Sequence, residues 1–115
     1  MAVSRTTAWA DNTGIVDKAA NVRLKAIRVT INPAATATSY LQVYNGTTFT
    51  PGSDTPTLVL PLLAPQANRT VSFPFPHGLR FGTGLCSFVS TTYNGGTAAT
   101  THAPLAVDVH YTPGG

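Results

Sequence analysis

The stretch Val22-Arg23-Leu24-Lys25-Ala26-Ile27-Arg28-Val29-Thr30-Ile31 changes phase in its middle. Val22, Leu24 and Ala26 alternate with Arg23 and Lys25. Ile27, Val29 and Ile31 then alternate with Arg28 and Thr30. Alternation with a period of two marks a strand that buries one face. A single change of phase would throw half of these apolar side chains onto the wrong face of a regular strand. The stretch is therefore either a strand carrying a β-bulge or a strand buried on both sides. Asn32-Pro33 ends it, because Pro33 has no N–H for a ladder and holds Asn32 away from the helical region.

The same period recurs outward along the chain. Thr38 to Tyr44 puts Leu41 and Val43 inward and Tyr40, Gln42 and Tyr44 on the opposite face. Asn45-Gly46 follows as a turn pair, since both residues tolerate positive φ. A polar loop with Pro51-Gly52 leads to Thr57–Leu63, where Pro61 predicts an edge strand or a strand end. Arg69 to Phe75 alternates with Val71, Phe73 and Phe75 on one side, and Pro74, Pro76 and Gly78 mark its exit. Leu79 to Phe81 reads as a short segment and Gly82-Thr83-Gly84 as a tight turn. Leu85 to Thr92 is the next strand, and a loop from Asn94-Gly95-Gly96 runs to His102. Ala103 to Tyr111 closes the pattern, with Leu105, Val107, Val109 and Tyr111 inward and Ala106, Asp108 and His110 outward.

No segment sustains helical apolar spacing, and nine Pro and ten Gly interrupt any long helix. The expected fold is all-β: an antiparallel, jelly-roll-like β-sandwich over residues 14–111. Residues 1–13, polar and rich in small side chains and holding the chain's single Trp, Trp9, read as an extended N-terminal arm. Residues 112–115 read as a frayed tail.

Composition narrows the function. Charged residues make up 10% of the 115, against roughly 25% in an ordinary soluble domain, and Glu is absent. Either neighbours cover much of the surface, or a Thr-rich sheet protein is simply sparing with charge. Seven Lys or Arg against four Asp give a net charge of +3, with no dense basic run beyond Arg23 to Arg28. Nucleic-acid binding calls for more charge and for stacking aromatics, so it is not expected. Cys86 is the single cysteine, which excludes an intrachain disulfide. No run approaches the ~18 apolar residues of a membrane helix. The N-terminal residues lack the apolar centre of a signal peptide, so synthesis and folding in the cytoplasm are expected.

The residue types that carry catalysis are few and scattered. Asp11, Asp17 and Asp54 read as N-terminal or loop residues, and no two carboxylates share a strand face for acid–base work. His77, His102 and His110 do not form a local metal motif. Asp108 and His110 share a face and read as an exposed pair. Cys86 has no basic neighbour in sequence and reads as an inert buried thiol. No enzyme, metal or cofactor is expected. Two features suggest protein contact: the Tyr40, Gln42 and Tyr44 face, and the pair Arg23 and Lys25, which has no acids nearby in sequence and suits an acidic partner. Arg5 and Trp9 of the arm join these as candidate contact residues.

Longer motifs add a resemblance. Tyr40-Leu-Gln-Val-Tyr-Asn45, Thr55-Pro-Thr-Leu-Val-Leu-Pro61, Val71-Ser-Phe-Pro74, Gly78-Leu-Arg-Phe-Gly-Thr-Gly-Leu85 and Ala103-Pro-Leu-Ala-Val-Asp-Val-His-Tyr111 together resemble small jelly-roll or sandwich virion proteins of tailed bacteriophages. These are turn and core motifs and transfer no catalytic residue. The resemblance implies a head decoration or cement protein on the capsid surface, bound to the major capsid protein or other virion proteins. It also implies a homo-oligomer, with a trimer favoured. A collar or tail accessory role, or a carbohydrate- or receptor-binding module using Tyr40, Tyr44 and Tyr93, is the alternative.

Overall fold

The computed structural model describes residues 2–6, 15–31, 38–48, 50, 53–62, 69–92 and 106–113. Eight strands lie in them: β1 (Ala2–Thr6), β2 (Ile15–Lys18), β3 (Val22–Thr30), β4 (Ser39–Asn45), β5 (Leu58–Leu62), β6 (Thr70–Phe81), β7 (Leu85–Ser90) and β8 (Ala106–Pro113). One four-stranded sheet has the order β1-β8-β3-β6 and the other β2-β7-β4-β5. All their pairings are antiparallel.

This strand order is a jelly roll. β1 pairs with β8, β2 with β7, β3 with β6 and β4 with β5, like the rungs of one long hairpin. Rolling that hairpin up adds the pairs β3–β8 and β4–β7. Consecutive strands then fall in alternate sheets, except at β4–β5. The antiparallel sandwich expected from the strand pattern is the fold the chain adopts.

The phase change in β3 is a bulge. Leu24 stands opposite Tyr111 of β8 and Ala26 opposite His110, so Lys25 is one residue in excess on β3. The extra residue restores the inward phase on both sides of itself. Val22, Leu24, Ile27 and Val29 are all 1% exposed or less. They join Val107 and Val109 of β8, Leu41 and Val43 of β4, and Leu85 and Val89 of β7 in one core, with Phe73, Phe75 and Leu79 packed against it. Each fully buried side chain of this kind contributes about 1.5–3 kcal/mol. That burial, rather than the sparse charge, holds the two sheets together.

Four local expectations change. β6 does not end at Pro74 but runs to Phe81 as a single strand. It is an edge strand, where a proline's missing N–H can face away from the ladder. β8 continues through Thr112 and Pro113, which stand opposite Arg23 and Val22, so the expected tail is partly strand. The start of the expected arm is β1, an edge strand paired along β8 from Tyr111 to Val107. Finally, β4 is a central strand whose residues Leu41 to Tyr44 are buried in succession. Pro61 does lie in an edge strand, β5. Trp9, Asp11, Asn32-Pro33, Pro51-Gly52, Tyr93, the loop from Asn94 to His102, and Ala103 to Leu105 lie outside the described residues.

Candidate functional site

The inward phase of the β1-β8-β3-β6 sheet fixes what its outer face presents. Three cross-strand rows can be followed from the register. Near the bulge, Arg80 of β6 stands opposite Arg23 of β3, which stands opposite Thr112 of β8. The middle row runs Pro74, Ala26, His110, Val3. The third runs Ser72, Arg28, Asp108, Arg5. With Lys25 at the bulge, five of the seven Lys and Arg residues lie on this face. Among the described residues, Asp108 is its one acid.

Gly78 builds the basic end. Four residues of β6, 75–78, oppose Lys25 alone, and the chain makes this excursion with Gly78 at φ 74°. Positive φ of this size is strained for any residue with a Cβ. The missing side chain also makes room: a Cβ on Gly78 would lie 2.3 Å from Arg23 Cγ and 3.5 Å from Lys25 Cδ. The stems of Arg23 and Lys25 thus lie side by side over the glycine. Arg23 Nη1 donates to the His77 carbonyl at 3.4 Å. Among the described residues, no carboxylate pairs with Arg23, Lys25 or Arg80.

The other end of the face is partly neutralised, with Asp108 set between Arg5 and the exposed Arg28. Arg5 Nε and Nη2 donate to Asp108 Oδ1 and Oδ2 at 2.6 and 2.8 Å, a two-pronged ion pair between β1 and β8. Arg5's hydrogen bond is the chief reason the Asp108 carboxyl titrates below the usual carboxylate range; the charges of Arg5, His110 and Arg28 add to it. The Asp108–His110 pair expected on one face is present, but the partner of Asp108 is Arg5.

The expected contact face on β4 is not a free surface. Gln42 is 0% and Tyr44 3% exposed, and the Tyr44 hydroxyl donates to Gln42 Oε1. Tyr40 is half-buried. β4 is bonded on both sides and covered on both faces, so a polar face on this strand is internal. Burial, helped by the charge of Asp54, pushes the Tyr44 hydroxyl up to about 12. Tyr44 also lines a polar pocket of about 260 Å³ with Asn45, Thr48, Asp54, Thr55 and Thr57.

Asp17, which reads in the sequence as an N-terminal or loop residue, lies in β2 and is partly buried, accepting hydrogen bonds from Ser4 and Ser87 at 2.7 Å each. Burial raises its titration above the usual carboxylate range, against the opposing effect of the two hydroxyls. Cys86 is fully buried, as expected, and its thiol donates to the Gly46 carbonyl at 3.1 Å. Among the described residues, no three His, Cys, Asp or Glu side chains gather where they could hold a metal ion.

Sequence reasoning found Arg23 and Lys25 but missed Arg80, which lies far along the chain. Only the β3–β6 register brings it opposite Arg23, and the prolines before it concealed that strand. No protein-family model matches the chain, and no curated protein or solved structure matches it either.

Proposed function

We propose that this chain is a non-catalytic structural protein of a virus particle. In this reading it is a decoration or cement protein of a tailed phage that binds the major capsid lattice and works as a homo-oligomer, with a trimer favoured. The observation that carries the reading is the outer face of the β1-β8-β3-β6 sheet, where five basic side chains meet one acid in a chain otherwise sparing with charge. Such a surface serves contact with a partner. The jelly roll adds support by analogy of fold alone, since viral capsid and lectin domains use this architecture. The resemblance of the turn and core motifs supplies the phage setting.

Mass spectrometry of purified particles from a phage encoding this chain is the direct test. Many copies per particle are expected, and their absence would remove the virion reading. The polar pocket beside Tyr44 favours a second reading, a carbohydrate-binding module, because its hydroxyl, amide and carboxylate groups suit sugar hydroxyls. A glycan array without binding at high protein concentration would count against that alternative.

A further inference from the structure

We infer that Arg23, Lys25 and Arg80 form the docking point of this chain, and that its occupant is a carboxylate-rich protein surface. The inference deepens the contact role proposed above and rests on it for the biological setting. Arg23 and Arg80 stand directly opposite each other on neighbouring strands, a placement in which like charges oppose folding. Lys25 adds a third positive charge beside them. No carboxylate of the described residues offsets the three. Acids supplied by a partner relieve this repulsion, so the cost to the free chain becomes a gain on binding.

The layout favours an acidic protein over a nucleic acid. A nucleic-acid track continues its positive charge along the backbone and offers aromatic rings for stacking. Here three positive charges that no described carboxylate offsets gather at one end of the sheet, while at the other Asp108 offsets one of two arginines, Arg5 and Arg28, and interrupts the track. Between the two ends lie Ala26, Pro74, His110 and Val3, the last 53% exposed. Small and apolar side chains beside basic ones suit the mixed surface of a protein. The arginines add fork-shaped donors that match carboxylates two at a time.

The experiment uses the full chain, a fluorescent twenty-residue polyglutamate peptide and a labelled twenty-base-pair DNA duplex as probes, read by anisotropy. Wild type is expected to bind polyglutamate, with affinity falling at least tenfold between 50 and 200 mM salt. The variant R23E/K25E/R80E is expected to lose at least tenfold in affinity. K18E/R69E, two charge reversals outside the cluster, is expected to lose threefold or less. Because Arg23 packs over Gly78, the milder K25Q/R80Q is run beside them, with circular dichroism to verify folding; a loss of at least threefold is expected. Equal losses in the control and cluster variants would reduce the effect to net charge and overturn the proposal. Tighter binding to the duplex would overturn it in favour of nucleic acid. Attachment of R23E/K25E/R80E to phage particles separates the two ideas: undiminished attachment sinks the docking point and leaves the virion role standing. Particles without the chain, together with a cluster-dependent polyglutamate loss, do the reverse.

Discussion

Ser4 of β1 donates its hydroxyl hydrogen to Asp17 Oδ1 at 2.7 Å, which ties the edge of one sheet to the edge of the other. The second oxygen of Asp17 takes a hydrogen from Ser87 of β7, so one carboxyl group joins three strands. The folded chain holds the Asp17 proton more tightly than the unfolded chain does, because burial outweighs the two hydroxyl donors. Over the pH range between the two titrations the folded state then binds more protons, and stability from this group falls as pH rises. Asp17→Asn keeps an acceptor and removes the charge. Its melting temperature, relative to wild type, is expected to improve from pH 3 to pH 7. Asp17→Ala strands two hydroxyls and is expected to cost about 1–3 kcal/mol in urea unfolding.

Asp108 titrates in the opposite sense. Its hydrogen bond with Arg5 holds it below the usual carboxylate range, so the stabilisation is complete above that range and is lost as pH falls through the lowered value. Arg5 is well exposed, so the effect on global stability is small. The local effect is larger, because this pair fastens β1 along β8. In Asp108→Asn, amide hydrogen exchange at Ala2 to Thr6 is expected to quicken while β3 and β7 keep their protection. Equal exchange in β1 would show that backbone pairing alone holds the strand.

β1 also revises what truncation does. A polar arm, as the sequence suggests, could be cut without touching the fold. Removal of residues 1–6 instead strips an edge strand from β8 and the Ser4 donor from Asp17. The truncated chain is expected to unfold at a lower urea concentration than the full chain. A midpoint equal to that of the full chain would return β1 to the status of an arm.

The bulge in β3 shows how far the sequence could be read. Its phase change was visible because Val22 and Leu24 sit at even positions and Ile27, Val29 and Ile31 at odd ones, and each residue type reports its own burial. The edge status of β5 was legible for the same local reason, through Pro61. Whether Tyr40, Gln42 and Tyr44 faced water was not legible, because that depends on β4 lying between β7 and β5. The basic cluster was half legible: Arg23 and Lys25 are local, while Arg80 arrives by register. Deletion of Lys25 leaves Leu24, Ala26 and Ile27 consecutive opposite Tyr111, His110 and Val109 of β8, so Ile27 and Val29 are expected to stay inward and the chain to keep a cooperative urea transition. Ile27→Ala, which keeps the register, is expected to cost about 2–5 kcal/mol in urea unfolding.

Cys86 offers a probe that needs no partner. Its thiol is fully buried, and burial together with the nearby Asp17 charge pushes its titration up to about 11. Thiolate is the reactive form, so native protein at pH 8 is expected to resist an aromatic disulfide reagent. Labelling should then follow global unfolding, with the same urea midpoint as circular dichroism. Fast labelling without urea would reveal a local opening between β7 and the Gly46 turn, whose carbonyl the thiol holds.

Gly78→Ala joins the fold to the proposed docking point. Alanine at φ 74° carries a backbone cost of about 1–3 kcal/mol. Its Cβ would also fall 2.3 Å from Arg23 Cγ, inside any real contact, so the Arg23 stem must leave its place beside Lys25. The variant is expected to be less stable and, at temperatures where it stays folded, to bind polyglutamate more weakly than wild type. Arg23→Gln separates the two effects: it keeps a flexible stem over the glycine and removes only the guanidinium. It is expected to retain most of the stability and to lose affinity. A Gly78→Ala protein that is folded, destabilised and unchanged in affinity would show that the placement of Arg23 over the glycine serves the strand excursion and not the acidic partner.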